Sequence, residues 1–273
     1  MTMLPILGKS INFKDYTSAK VLVHWMPWFG TPGHIKLAYN SADVSTCELQ
    51  CDIMEQMSIS GVNVDYYGPE SASALACLRM LAACERFNLS YSICVDQGAL
   101  SGLTGAAATA EYIRILKFLE DAFFSSSSYL QDQNRYVVNF FGEPTGVNWT
   151  AIRAGVKSKL ALVFQGGVGF THAESDGGFG WVNPTTPAAN INMPSLNTFI
   201  SAAASNSTKL AMYPVYTGFD DSLAGWGKNR FMSRRGGQTL LDTLKLIPVN
   251  AKYALIATWN DHEEGTGIEY SQG

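Results

Sequence analysis

Three carboxylates and an indole fall within eight consecutive residues near the end of the chain, Trp259-Asn260-Asp261-His262-Glu263-Glu264-Gly265-Thr266. They follow directly on Tyr253–Thr258, a run with the composition of a buried strand. Acids set just beyond a strand's C-terminal end stand where parallel α/β folds build their active sites. Two close carboxyls push each other's proton affinities apart, so one can donate a proton while the other stays ionised. That division of labour is what cleavage of a glycosidic bond requires.

Other chemistry-bearing residues stand at the ends of other strand-like runs. They are His24, Trp25 and Trp28; Asp65, Tyr66 and Tyr67; Asp96; Glu143; Gln165; Tyr216, Asp220, Asp221 and Trp226; and, beside the acids, Trp259 and Asn260. A ring of carboxylates interleaved with Trp and Tyr suits a carbohydrate, the acids taking hydroxyls and the aromatic faces taking the apolar faces of sugar rings. Each residue has a plainer reading as well. His24 could be a packing histidine, Asp65 a turn cap, Asp220 and Asp221 Asx contacts of a loop, Asp96 an arginine partner, and each tryptophan core. Asp261 and Glu264 could cap a helix start. Rival chemistries show less: Gly166-Gly-Val-Gly169 lacks the rest of a dinucleotide fingerprint, His262-Glu263-Glu264 is not HExxH, and no nucleophile elbow is present.

The elements that must hold these residues alternate along the chain. Strand-like runs cover Lys20–Trp25, Gly61–Tyr67, Ser90–Asp96, Arg135–Phe141, Leu160–Gln165, a weaker Gly178–Val182, Lys209–Tyr216 and Tyr253–Thr258. Most are nearly continuous in apolar residues, as in parallel strands covered on both faces. Thr46–Ser60, Ser71–Phe87, Ala106–Phe124 and Gln238–Ile247 carry apolar residues at helical spacing. The pattern predicts one (β/α)8 barrel domain spanning 1–273, with a doubly wound sheet as second choice. The glycine-rich stretch Gly166–Gly177 predicts an irregular crossover after the fifth strand, and too few residues follow Glu264 to complete the last βα unit. The N-terminal segment 1–18, another chain such as a second subunit, or a deleted downstream region is expected to fill that gap. Long connections at 26–45, 181–193 and 217–237 lie on the predicted site face and suggest a large cleft.

With 47% hydrophobic and 15% charged residues among 273, the chain can build a sizeable core. Its net charge of −4 gives no basic field for nucleic acid. No run is long and apolar enough to span a bilayer, and no export leader is visible. Cys47, Cys51, Cys77, Cys84 and Cys94 show no metal-ligand spacing and read as small core residues, which suggests a reducing, cytoplasmic setting unless a leader has been removed. Neither metal nor organic cofactor is expected.

The closing segment Asn260-Asp261-x-x-Glu264-Gly265-Thr266 resembles the Asn-Glu-x-x-Glu-Gly-Thr pattern of the retaining endo-α-mannosidases of glycoside hydrolase family 99. It is similar also to the Trp-Asn-Asp-x-x-Glu of family 71 α-1,3-glucanases. His24-Trp25-Met-Pro-Trp28-Phe, Gly61-Val-Asn-Val-Asp65 and Gly218-Phe-Asp-Asp-Ser222 with Trp226-Gly227 look like the same superfamily. The resemblance implies that Glu264 is the general acid/base and Asp261 its partner. In family 99 the partner is a glutamate that deprotonates the sugar's own 2-hydroxyl; the shorter aspartate here leans toward the family 71 pair and activation of water. The expectation is therefore a hydrolase of α-linked glycans, endo-acting if the long loops build a groove. The alternative is a barrel that binds glycan or serves assembly without turnover.

Overall fold

The computed structural model describes residues 11–184 and 191–269. Part of the segment 1–18 and part of the 181–193 connection lie outside them. Eight parallel strands run Lys20–Trp25 (β1), Gly61–Tyr66 (β2), Ser90–Asp96 (β3), Arg135–Phe141 (β4), Leu160–Gln165 (β5), Gly177–Phe179 (β6), Leu210–Tyr216 (β7) and Tyr253–Ala257 (β8). Each pairs with the next, and β8 pairs back with β1 in the register Lys20↔Tyr253 through Val23↔Ile256, closing a (β/α)8 barrel. The helices are Val44–Gln56 (α1), Ala74–Arg86 (α2), Gly105–Ala122 (α3), Trp149–Ala154 (α4), Met193–Ser205 (α5) and Gln238–Leu244 (α6).

Spacing explains which helix faces turn inward. In α1, Cys47, Gln50, Cys51 and Met54 are buried, and in α3 Ala108, Tyr112, Ile115, Leu116 and Leu119, each set one helical stripe. A fully buried Leu or Ile in such a stripe contributes about 1.5–3 kcal/mol. These stripes pack on the outward residues of the strands, Val21, Val23 and Trp25 of β1 and Val62, Val64 and Tyr66 of β2 among them. The alternate residues fill the barrel, where Leu22, Cys94, Val137, Val163, Phe179, Met212 and Leu255 form a second apolar cluster. All five cysteines are free and buried.

Two helices escaped the periodicity. α4 has six residues, and both α4 and α5 start on asparagine caps, Asn148 Oδ1 accepting from Ala151 N–H at 3.0 Å and Asn192 Oδ1 from Ser195 N–H at 3.2 Å. The crossover between β5 and β6 is irregular as expected, a single 3-10 turn at Gly167–Phe170. It must be tight: a Cβ on Gly169 would meet the Phe164 carbonyl oxygen at 2.6 Å. Among the described residues no helix follows β8, and none is long and apolar enough to cross a membrane.

Candidate active site at the barrel mouth

β8 ends in a tight turn that the motif residues hold together. Asp261 N–H donates to Thr258 Oγ1 at 2.8 Å, the Thr258 and Thr266 hydroxyls meet at 3.0 Å, and Thr266 N–H donates to the Asp261 carbonyl at 3.1 Å. Gly265 takes φ +61°, and a Cβ there would come within 3.2 Å of Asp220, so glycine suits the position on two counts. Asp261 Oδ1 accepts from the N–H groups of Glu263 at 3.0 Å and Glu264 at 2.8 Å. Among the described residues its Oδ2 makes no hydrogen bond, and the side chain lines a cavity at the C-terminal mouth of the barrel.

That cavity, of about 120 Å³, is lined by His24, Met26, Trp28, Asp65, Tyr67, Asp96, Phe141, Trp181, Trp226, Asp261 and Glu264. Four carboxylates from three strands thus converge between aromatic walls. Burial, with the charges of Glu264 and Glu263 adding to it, pushes the Asp261 carboxyl up to about 8. Burial raises Glu264 as well, against the pull of a hydrogen bond from Trp226 Nε1 at 3.0 Å and of Arg230, whose Nη2 lies 4.0 Å away. Burial and the neighbouring Asp65 push Asp96 up to about 7. Burial and the charges of Asp65 and Asp96 also hold the Tyr67 hydroxyl protonated.

The loops that deliver the aromatic walls are pinned by buried acids. Glu263 accepts from Ile35 N–H and meets His34 Nδ1, both at 2.9 Å, and His34 stacks on Trp28 with centroids 4.5 Å apart. Asp221 accepts from Lys228 N–H, Arg230 N–H and Arg230 Nε at 3.0, 2.7 and 2.8 Å. Burial works against its charge, yet those donors hold its carboxyl below the usual range. Asn260 clamps the Met26 backbone, accepting from its N–H at 2.8 Å and donating to its carbonyl at 3.0 Å.

The structure therefore divides the sequence-predicted residues. Asp261, Glu264, His24, Asp65, Tyr67, Asp96, Trp28 and Trp226 meet in the cavity. Trp25 and Tyr66 do not: strand alternation turns them outward, where Trp25 Nε1 donates to Gln50 of α1 at 2.8 Å and Tyr66 packs on Phe123. Trp259 is buried in the same outer layer, and Asn260 serves the loop clamp. Tyr216 is roofed by Leu196, Phe219 and Met232. Glu143 turns aside to Trp149 Nε1 at 2.5 Å, Gln165 does not line the cavity, Asp220 is exposed with its carboxylate on Ser222 N–H, and Asp221 is a loop staple. Trp181, Phe141 and Met26 line the cavity unforeseen as ligands. Phe141 was visible as the last residue of a strand with the parity of Asn139; Trp181 was obscured by the shortness of β6. At about 120 Å³ the cavity is smaller than the 300–1,000 Å³ common for ligand sites. Among the described residues no group of three or more His, Cys, Asp or Glu side chains is arranged to hold a metal ion.

The fold is shared with glycoside hydrolases. A structure of the GH99 endo-α-mannosidase from Bacteroides thetaiotaomicron superposes with a TM-score of 0.73 at 14% identity, over 96% of this chain and 89% of that one. The same enzyme in complex with bis-tris-propane gives 0.71 at 15% identity, over 93% and 88%. A protein described as glycoside hydrolase-like gives 0.67 at 12% identity, over 99% and 90%. At these identities the likeness is one of fold. No protein-family model and no curated protein matches the sequence.

Proposed function

We propose that this barrel is a glycoside hydrolase acting on an α-linked glycan of glucan or mannan type, with Asp261 and Glu264 as its catalytic pair. The observation that carries the reading is the convergence of Asp261, Glu264, Asp65 and Asp96 on one aromatic-walled cavity at the barrel mouth. Trp28, Tyr67, Trp181 and Trp226 offer ring faces to a sugar, and Asp65 and Asp96 offer hydroxyl partners. The shared fold with an endo-α-mannosidase supports the same class.

Within the pair, burial and the neighbouring acids push the Asp261 carboxyl up to about 8, which favours its protonated form at neutral pH. Glu264, the less buried of the two, has the donors that favour a carboxylate. This arrangement favours Asp261 as the proton donor to the leaving oxygen and Glu264 as the ionised partner, the reverse of the assignment the sequence motif implies. A panel of α-1,3-glucan, α-mannan and related oligosaccharides, followed by release of reducing ends, tests the activity. Product lengths distinguish internal from terminal cleavage, and proton NMR of the first product gives its anomeric configuration.

One observation favours a non-catalytic module. Asp261 Oδ1 caps the turn at Glu263 and Glu264, a structural duty it would perform without any reaction. Under that reading glycans bind in the cavity, none is cleaved, and Glu264→Gln leaves affinity unchanged.

A further inference from the structure

Beneath the cavity floor, β1, β2 and β3 place His24, Asn63 and Ser92 side by side in register, His24↔Asn63 and Asn63↔Ser92. All three point into the barrel and are buried. The Ser92 hydroxyl donates to Asn63 Oδ1 at 2.9 Å, and Asn63 Nδ2 meets His24 Nδ1 at 3.0 Å. The opposite ring nitrogen, His24 Nε2, faces Asp65 Oδ1 at 3.5 Å, with the Trp181 ring packed nearly perpendicular to the imidazole at 4.7 Å between centroids. Polar groups in a barrel interior cost free energy unless they are matched, and here the three are matched to one another.

We infer that Ser92 and Asn63 form a positioning relay that fixes His24 as the neutral tautomer with its proton on Nε2, and so directs that N–H at Asp65 and orients its side chain toward substrate hydroxyls. The direction of the relay follows from donor and acceptor inventory. With its oxygen occupied by the Ser92 hydroxyl, the Asn63 amide presents N–H to the ring, and an N–H can be received only by an unprotonated nitrogen. A neutral imidazole with bare Nδ1 carries its one hydrogen on Nε2, the nitrogen aimed at Asp65. Asp65 stands on β2 directly beside Cys94, one pleat below Asp96 on β3, so the two carboxylates present themselves together to one edge of a bound ring. Asp65, with the His24 Nε2 hydrogen directed at it from 3.5 Å below, receives hydroxyl hydrogens, while proton transfer is left to Asp261 and Glu264. His24, Asn63 and Ser92 are then positioning residues, two of them out of reach of the cavity.

The assignment of Asp65 to a sugar hydroxyl rests on the glycan reading of the pocket; the tautomer of His24 does not. Nitrogen-15 NMR of the histidine-labelled protein, without ligand, is expected to show His24 protonated at Nε2 and bare at Nδ1. Asn63→Asp, nearly isosteric but unable to donate from an ionised carboxylate, should place a proton on Nδ1 and raise KM for an α-linked oligosaccharide by about tenfold or more, with kcat changed far less. Ser92→Ala should move both readouts the same way by a smaller factor, and circular dichroism shows whether each variant has folded. His24→Gln, which keeps an amide donor toward Asp65, should recover part of the affinity that His24→Leu loses. A wild-type His24 protonated on Nδ1 overturns the relay, as does an Asn63→Asp protein with unchanged ring signals. The expected tautomer in a protein that neither binds nor cleaves any glycan overturns the glycan reading and leaves the relay standing.

Discussion

Trp226 Nε1 donates a hydrogen bond to Glu264 Oε1 at 3.0 Å, tying an exposed loop aromatic to an acid of the cavity. A donor to the ionised form lowers a carboxyl's proton affinity, so this bond opposes the rise that burial imposes on Glu264. Trp226→Phe keeps the ring and removes the donor. The Glu264 carboxyl should then ionise at higher pH, and the acidic limb of the kcat/KM profile should move upward. A pH–rate profile of both proteins on one substrate checks the direction.

Asp261 is a carboxyl whose proton affinity folding raises, from an ordinary value of 3.8 to about 8. The native state therefore binds this proton more tightly than the unfolded chain. Its contribution favours folding at low pH and is progressively lost as pH climbs from about 4 to about 8. Asp261→Asn keeps the Oδ1 acceptor that caps the turn and removes the charge. At pH 8 it should be more stable than wild type, on the order of 2–4 kcal/mol, with a smaller difference at pH 5. Denaturant titrations at the two pH values measure this, and loss of activity in the more stable variant would fit a site that trades stability for function.

Trp25 and Trp28 lie three residues apart with opposite duties, which separates binding from packing by mutation. Trp25→Phe leaves Gln50 Oε1 without its indole donor in the outer core and should lower stability by about 1–3 kcal/mol with glycan affinity unchanged. Trp28→Ala removes a cavity wall and should weaken glycan binding by about tenfold or more. Thermal denaturation and calorimetric titration of both variants separate the two.

That distinction marks how far the sequence was legible. Hydrophobic runs located all eight strands, seven to within a residue at both ends, because buried parallel strands advertise themselves as continuous apolar segments. The same strands carried the in-and-out alternation that turns His24, Asp65 and Tyr67 toward the cavity and Trp25 and Tyr66 away from it. Reading strand ends as a ring of ligands without that parity assigned both faces to the site. Tyr216 has inward parity and is still covered, because Phe219 and Met232 fold back over it from the following loop. The pairing of Glu263 with His34 joins residues far apart in the chain, and no local pattern announces it.

Asp221 is the acid whose role changed most, from a hydroxyl partner to the staple of the loop that carries Trp226 and Arg230. Its buried carboxylate takes three donors from the segment 228–230. Asp221→Ala strands those donors and should cost about 1–3 kcal/mol, less than a fully buried pair because Arg230 is partly exposed. Limited proteolysis should find new cuts between 217 and 237, and KM should rise because the Trp226 wall is no longer held.

The central claim is that Asp261 and Glu264 cleave a glycosidic bond in this cavity. Its most direct measurement compares wild type, Asp261→Asn and Glu264→Gln on one α-linked oligosaccharide and on the same sugar carrying an activated aryl leaving group. The account predicts turnover by wild type and a loss of about 10²–10⁴ in each variant on the natural substrate. It also predicts that Asp261→Asn, lacking the proton donor, recovers on the activated substrate while Glu264→Gln does not. Wild type that binds α-linked glycans without cleaving any, with the same affinity in Glu264→Gln, would contradict it.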